Sequence, residues 1–191
     1  PLRIAAASAL GNLRGAAAPA AQKLLHLLAD ANEAPPARRT AAESLRQIGP
    51  VDSLDASPLV KALRSPDPEE RRSAAAYLGG ARLALKETLP ELLHILEADD
   101  SDFRPTVADA LRCFGAVAVP ELLKLLEKDP NVAAWAERIL WDICAKEKAA
   151  LEAILRALPA ASDLERERIV NVLWLLGPDA AAAALKGTPG K

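Results

Sequence analysis

Six cationic or imidazole side chains recur at one position of a repeating segment: His26, Lys61, His94, Lys124, Arg156 and Lys186. A row of such groups on one surface attracts anions, so the chemistry it offers is binding of an acidic peptide or another extended anionic ligand. At neutral pH His94 is largely uncharged, because imidazole titrates near 6.5. The tryptophans cluster late, at Trp135, Trp141 and Trp174. Trp141 and Trp174 align with Gly11, Arg46, Gly79 and Arg112 of earlier repeats. An aromatic there is either a contact patch, since Trp is enriched at binding hot spots, or a filler where the fifth repeat packs irregularly.

The residues that could carry catalysis are sparse. His26 and His94 stand two repeats apart, ~20 Å if each repeat adds ~10 Å of helix spacing, too far to share a metal. No HExxH or CxxC spacing occurs. Asp99, Asp100 and Asp102 share a loop but lack the Gly and distal Glu of a calcium loop, and are expected to be solvated caps. Cys113 and Cys144 fall on neighbouring helices, whose axes normally lie about 8–10 Å apart, whereas a disulfide needs Cα atoms within roughly 7 Å. Two reduced, mostly packed thiols are expected. No nucleophile with its base, phosphate loop or carboxylate pair is present, so the chain is expected to be non-catalytic, with no cofactor and no metal.

The elements that position these residues are helices. Half of the chain is apolar, 51%, yet only 3% is aromatic; the apolar content is mainly Ala and Leu, the best helix formers. A net charge of −2 argues against nucleic acid held by bulk charge. Apolar runs are broken well before the ~20 residues a membrane span needs, so no membrane partner is expected. The chain opens on Pro1 and holds no Met, as expected of a processed chain or a fragment of a larger protein.

A repeat organises the helices. Residues 90–100 read PELLHILEADD and residues 120–130 PELLKLLEKDP. A second segment, RRSAAAYLGG at 71–80, overlays residues 3–13, 38–49, 103–115 and 166–177, and more weakly 135–144. Its aligned leucines, Leu10, Leu45, Leu78, Leu111, Leu140 and Leu173, are spaced 35, 33, 33, 29 and 33 residues apart. Each copy is followed by a second amphipathic segment, at 20–28, 57–63, 89–96, 119–126 and 150–158, with a truncated copy at 180–186. Gly15, Gly49, Gly115 and Gly177 are expected to end first helices with a left-handed cap. Pro58, Pro90 and Pro120 are expected to open second helices.

At about 100° per residue, His94 points ~150° away from the centre of the Leu89–Leu92–Leu93–Leu96 face, so the basic row faces outward. Asp67, Asp100 and Asp129 share the loop position before a first helix, where carboxylates cap N–H groups. Ala34 and Ser162 hold that position elsewhere. Arg3, Arg38, Arg71, Arg104 and Arg166 form a second row, expected to brace the stack by pairing with a loop carboxylate.

No single helical pair buries its apolar face alone, whereas stacked pairs do. The expected fold is an all-α, right-handed superhelix of about five and a half helical pairs. It is one solenoid over 1–191, with units near 1–32, 33–65, 66–98, 99–128, 129–161 and 162–191.

These units resemble HEAT repeats, and most of all the short HEAT repeats of the phycobilin-lyase type. The pattern is Asp67-x3-Arg71, then Ala74-Ala75-x2-Leu78-Gly79, and Pro120-x-Leu122-Leu123-x-Leu125-Leu126. The fifth unit departs from it, with Glu137 where Ala75 stands and Cys144 where Gly49 and Gly115 stand. The resemblance implies a scaffold that binds a protein or peptide along a concave groove lined by second helices, using the basic row, with Trp141 and Trp174 as a second patch. It also implies an alternative, a bilin-lyase-type protein binding a tetrapyrrole; a purely structural segment is a third. Solenoid ends left uncapped are expected to self-associate. The resemblance extends to an iron-binding hydroxylase family, but the His-Glu pairs are missing, since Leu27 follows His26 and Ile95 follows His94.

Overall fold

The Leu- and Ala-rich segments wind into helices because apolar positions recur every three to four residues, and the helices pair because only pairing removes those stripes from water. A computed structural model describes residues 2–30, 32–49, 51, 54–81, 85–98, 102–180 and 182. Among them are α1 (Leu2–Asn12), α2 (Ala21–Ala29), α3 (Pro35–Ile48), α4 (Ser57–Ala62), α5 (Pro68–Ala81) and α6 (Leu85–Glu97). These are followed by α7 (Arg104–Phe114), α8 (Val119–Leu125), α9 (Pro130–Cys144), α10 (Lys148–Ala157) and α11 (Asp163–Leu176). Short 3-10 turns run over Arg14–Ala20, Gly115–Ala118 and Leu158–Ala160.

The chain divides into two compact units, Pro1–Cys113 and Phe114–Lys191. In the first, α1 packs on α3 and α3 on α5, while α2 packs on α4 and α4 on α6, so first and second helices form two layers. In the second, α9 packs on α11, α8 and α10. The aligned leucines set the register: Leu45, Leu78, Leu111, Leu140 and Leu173 are fully buried, each worth about 1.5–3 kcal/mol of transfer from water.

Small side chains let first helices come close. Gly79 lies so near α7 that a Cβ on it would stand 2.5 Å from the Cα of Ala110. Between α1 and α3, the Ser44 hydroxyl donates to the carbonyl of Ala7 at 2.8 Å.

The arginine row links one repeat to the next in two ways. Arg38 pairs with Glu70 at 2.8 Å and approaches Asp67 at 3.8 Å, and Arg3 pairs with Glu33. Arg71 sits 5.2 Å from the ring centre of Phe103 and donates to the Ser65 carbonyl at 3.0 Å. Arg104 donates to the carbonyls of Leu96 and Ala98. Arg166 donates to the carbonyl of Ala161 and meets Asp163 at 3.3 Å. The expected carboxylate partner is present at Arg3, Arg38 and Arg166, and backbone carbonyls or a ring add to the surroundings of Arg71 and Arg104. Asp67 and Asp129 accept backbone N–H groups at their helix starts, from Glu69 and Asn131, and Ser162 accepts from Glu165. Asp100 lies outside the described residues.

Two local expectations are corrected. Pro90 does not open α6 but sits inside it, because the helix begins at Leu85; the missing N–H then removes one intrahelical bond. Gly15 is not the left-handed residue after α1: Arg14 takes φ 50°, and a 3-10 turn follows. Gly49, Gly115 and Gly177 do adopt positive φ.

Replacing Gly79 with Ala is expected to cost about 1–3 kcal/mol by forcing α5 off α7, whereas Gly15→Ala, with open space around its Cα, is expected to be near neutral; urea midpoints compare the two. Removing Arg38 leaves Glu70, 5% exposed, without its cation. Arg38→Ala is therefore expected to lose about 3–5 kcal/mol, and Arg38→Ala/Glu70→Gln to lose less than the single change in the same assay.

Candidate protein-binding surface

Three second helices of the first unit each bury their leucines and leave one basic position in solvent. In α2, Leu24, Leu25 and Leu28 are buried; in α4, Leu59 is; in α6, Leu89, Leu92, Leu93 and Leu96 are. His26, Lys61 and His94 are all exposed, as the helical phase requires. Their surroundings are not purely basic. Lys61 and Arg64 border a depression of about 540 Å³ whose other walls include Leu54, Asp55, Val60 and Glu91. Both also border a wider one of about 770 Å³ with Asp30, Asn32, Arg38 and Glu70.

Arg64 grips Glu91 with two parallel hydrogen bonds, each 2.6 Å. These bonds, helped by the Arg64 charge and by His94, hold the Glu91 carboxyl below its usual value against the opposing effect of burial. Asp55 is held low chiefly by the Ser57 hydroxyl and then its N–H. Gln22 ties α2 to this edge, its side-chain oxygen accepting from the Asp55 N–H at 3.0 Å and its amide nitrogen 3.2 Å from the His26 ring. Lys61 has no ion-pair partner among the described residues.

The second unit carries its own equivalents of these positions. Lys124 on α8 and Arg156 on α10 are exposed. Lys124 pairs with Glu121 at 2.7 Å, and Arg156 donates to the carbonyl of Glu152. Lys186 lies outside the described residues. Trp174 is 63% exposed and Trp141 38%, whereas Trp135 is half-buried beneath Arg138, 5.9 Å from its ring centre. Glu137, which replaces alanine in this repeat, receives Arg168 from α11 at 2.6 Å. Cys144, which replaces glycine, lets α9 run on to its own position.

Sequence reasoning missed the Arg64–Glu91 clamp. Its signal was present: Arg64 lies three residues after Lys61 and Glu91 three before His94, one helical turn from the row in each case.

The thiols differ from expectation. Neither is in a disulfide, but Cys113 is exposed while Cys144 is buried. Burial, reinforced by the negative charge of Glu147, pushes the Cys144 thiol up to about 12. Asp99 and Asp100 lie outside the described residues; Asp102 is exposed. Among the described residues no group of three or more His, Cys, Asp or Glu is placed to hold a metal, and no helix is long and apolar enough to cross a membrane.

Paired helices, buried repeat leucines and an exposed second-helix row define an all-α HEAT architecture. Residues 56–141 match the family model of HEAT repeats. No curated protein matches it significantly. It is similar to a solved structure titled the complex of CpcE and CpcF of phycocyanin lyase from Nostoc sp. PCC7120, at 26% identity, TM-score 0.49, over 97% of this chain and 80% of that one. The expectation of a non-catalytic chain is corrected by that finding: the solved neighbour belongs to a lyase, and an absence of catalysis is not carried further.

At pH 8 a thiol reagent is expected to modify Cys113 rapidly and Cys144 only on unfolding. Mass spectrometry of the native chain should show one label, and Cys113→Ser none.

Proposed function

We propose that this chain binds an acidic segment of a partner protein, or an acidic peptide, across its second-helix surface. His26, Lys61 and His94 contact it in the first unit, Lys124 and Arg156 in the second, with Lys186 as a further contact. The observation that carries the reading is that every described member of the row is exposed, with Lys61, which has no ion-pair partner among the described residues, beside an open depression. The partition of residues 1–191 into six repeats of one solenoid belongs to the same proposal, as does a second contact patch at Trp141 and Trp174.

The physics sets the character of such binding. An exposed ion pair contributes only about 0.2–1 kcal/mol, so affinity grows with the number of cations engaged and falls with salt. Arg64 is held rigid by Glu91 and supplies shape more than charge, whereas Lys61 is available to a ligand carboxylate.

The test is fluorescence anisotropy of a labelled Glu-rich peptide against the intact chain and a Lys61→Glu/His94→Glu/Lys124→Glu variant, at low and moderate salt. The expected outcome is at least tenfold weaker binding by the variant and a clear loss with salt for the intact chain. Equal affinities would remove the row from the proposal. Visible absorbance from a bound open-chain tetrapyrrole, with no peptide binding, would replace it with the bilin-lyase-type alternative.

A further inference from the structure

In most second helices the residue just before the basic row is leucine: Leu25, Leu93, Leu123 and Leu155. The first three are buried, Leu25 completely. In α4 that position is Val60, one methylene shorter and only half-buried. α4 is also just six residues long, and the chain enters it through the non-helical residues Leu54 to Ala56. At this place the surface opens into the depression of about 540 Å³ beside Lys61, with Leu54, Ala56 and Val60 as its apolar wall. Leu54, like Val60, is half-buried, so both leave aliphatic surface in water. Sites that hold small organic groups typically span ~300–1,000 Å³, so the space is ample for one aliphatic side chain.

The charges around that wall are not equivalent. Arg64 engages both carboxylate oxygens of Glu91, so this pair offers a ligand little net charge. Asp55 is turned onto the start of α4, where its Oδ1 accepts from the Ser57 N–H at 3.0 Å and from the Ser57 hydroxyl at 2.6 Å. The bonds from Arg64 and from Ser57 hold the Glu91 and Asp55 carboxyls below their usual range. Both are therefore negative at neutral pH and repel a ligand carboxylate. Of the two cations that border the depression, Lys61 has no ion-pair partner among the described residues. The rim thus attracts one carboxylate, at Lys61, and disfavours a second. A charged group set against Leu54 and Val60 loses hydration, whereas an apolar one gains by leaving water.

We infer that this depression takes a large aliphatic side chain of the partner segment, two residues from an acidic one, with the carboxylate on Lys61 and the aliphatic group against Leu54 and Val60. In an extended segment, residues two apart point to the same side, so one peptide face supplies both groups. The inference rests on the proposal that this surface binds an acidic segment, and it specifies the segment: acidic and aliphatic residues share one face, in place of an unbroken acidic run. A run would set its next carboxylate against Asp55 or Glu91, and such repulsion is a source of selectivity. An exposed ion pair alone contributes little, so most of the affinity at this place comes from the aliphatic group removed from water.

The test is fluorescence anisotropy of the full chain with three labelled peptides of equal length. The first repeats Glu-Ser-Leu-Ser, the second has serine for every leucine, and the third has glutamine for every glutamate. A Leu54→Ser/Val60→Thr variant is measured beside the unaltered chain. The expected result is that the first peptide binds at least about tenfold tighter than either of the others. The variant should lose most of the preference for the first peptide over the second, and should bind the second as the unaltered chain does. If circular dichroism shows the double variant unfolded, Leu54→Ser alone, in the loop before α4, replaces it. Equal affinities for the first and second peptides overturn the inference and leave the acidic-segment proposal standing. A leucine preference that survives in the variant also overturns it, because the leucine then lodges elsewhere. A glutamine peptide that binds as tightly as the first, or no binding of any peptide, overturns both the inference and the proposal beneath it.

Discussion

Close approach of successive first helices is the constraint on which the rest of the structure depends. A two-helix unit has too little interior to hide its leucines, so each unit supplies the cover for its neighbour. That cover works only if backbones come near enough for the leucines to seal the gap. The α1–α3 and α5–α7 junctions meet this demand with glycine, serine and alanine at the crossing point. The second helices follow from it: once the first-helix layer is fixed, their leucine faces have one direction in which to point, and the basic positions are left outside.

Much of this was legible because burial and periodicity are local properties of a repeat. Leu45, Leu78 and Leu111 announce the core by spacing alone, and the outward phase of His26, Lys61 and His94 follows from the same count. What was not legible depends on neighbours in space. The surroundings of each row arginine depend on the groups that packing brings to it, so Arg38 meets Glu70 while Arg71 lies beside the Phe103 ring. The helix-forming run before Pro90 outweighs the proline's usual place at a helix start. Whether Cys113 or Cys144 faces water depends on packing at the C-terminal ends of α7 and α9, where the glycine rule fails in one of them. Arg64–Glu91 joins residues 27 apart in sequence: each stands one helical turn from the row, which the sequence shows, but that the two meet depends on how α4 and α6 pack.

The surface that emerges is mixed in charge rather than a bare cationic track. Acidic groups at Asp55 and Glu91 frame Lys61 and Arg64, which narrows the ligands that fit. On the reading proposed above, an acidic segment would gain most by setting its carboxylates beside Lys61 and Arg64 and neutral residues beside Asp55 and Glu91. Selectivity of this kind comes from placing repulsive groups among attractive ones.

The junctions at Arg38 and Arg71 carry a consequence for how such a chain changes length over evolutionary time. The donor is the same residue type in both repeats; Arg38 meets the carboxylate of Glu70 in the next repeat, and Arg71 lies beside the ring of Phe103 in the one after it. A guanidinium accepts either, through an ion pair or a cation–π contact. A duplication or loss of one whole repeat therefore brings an arginine against a new neighbour that still satisfies it. No matched change in the adjoining repeat is required, and the array can grow or shrink by single units while its internal joints stay closed.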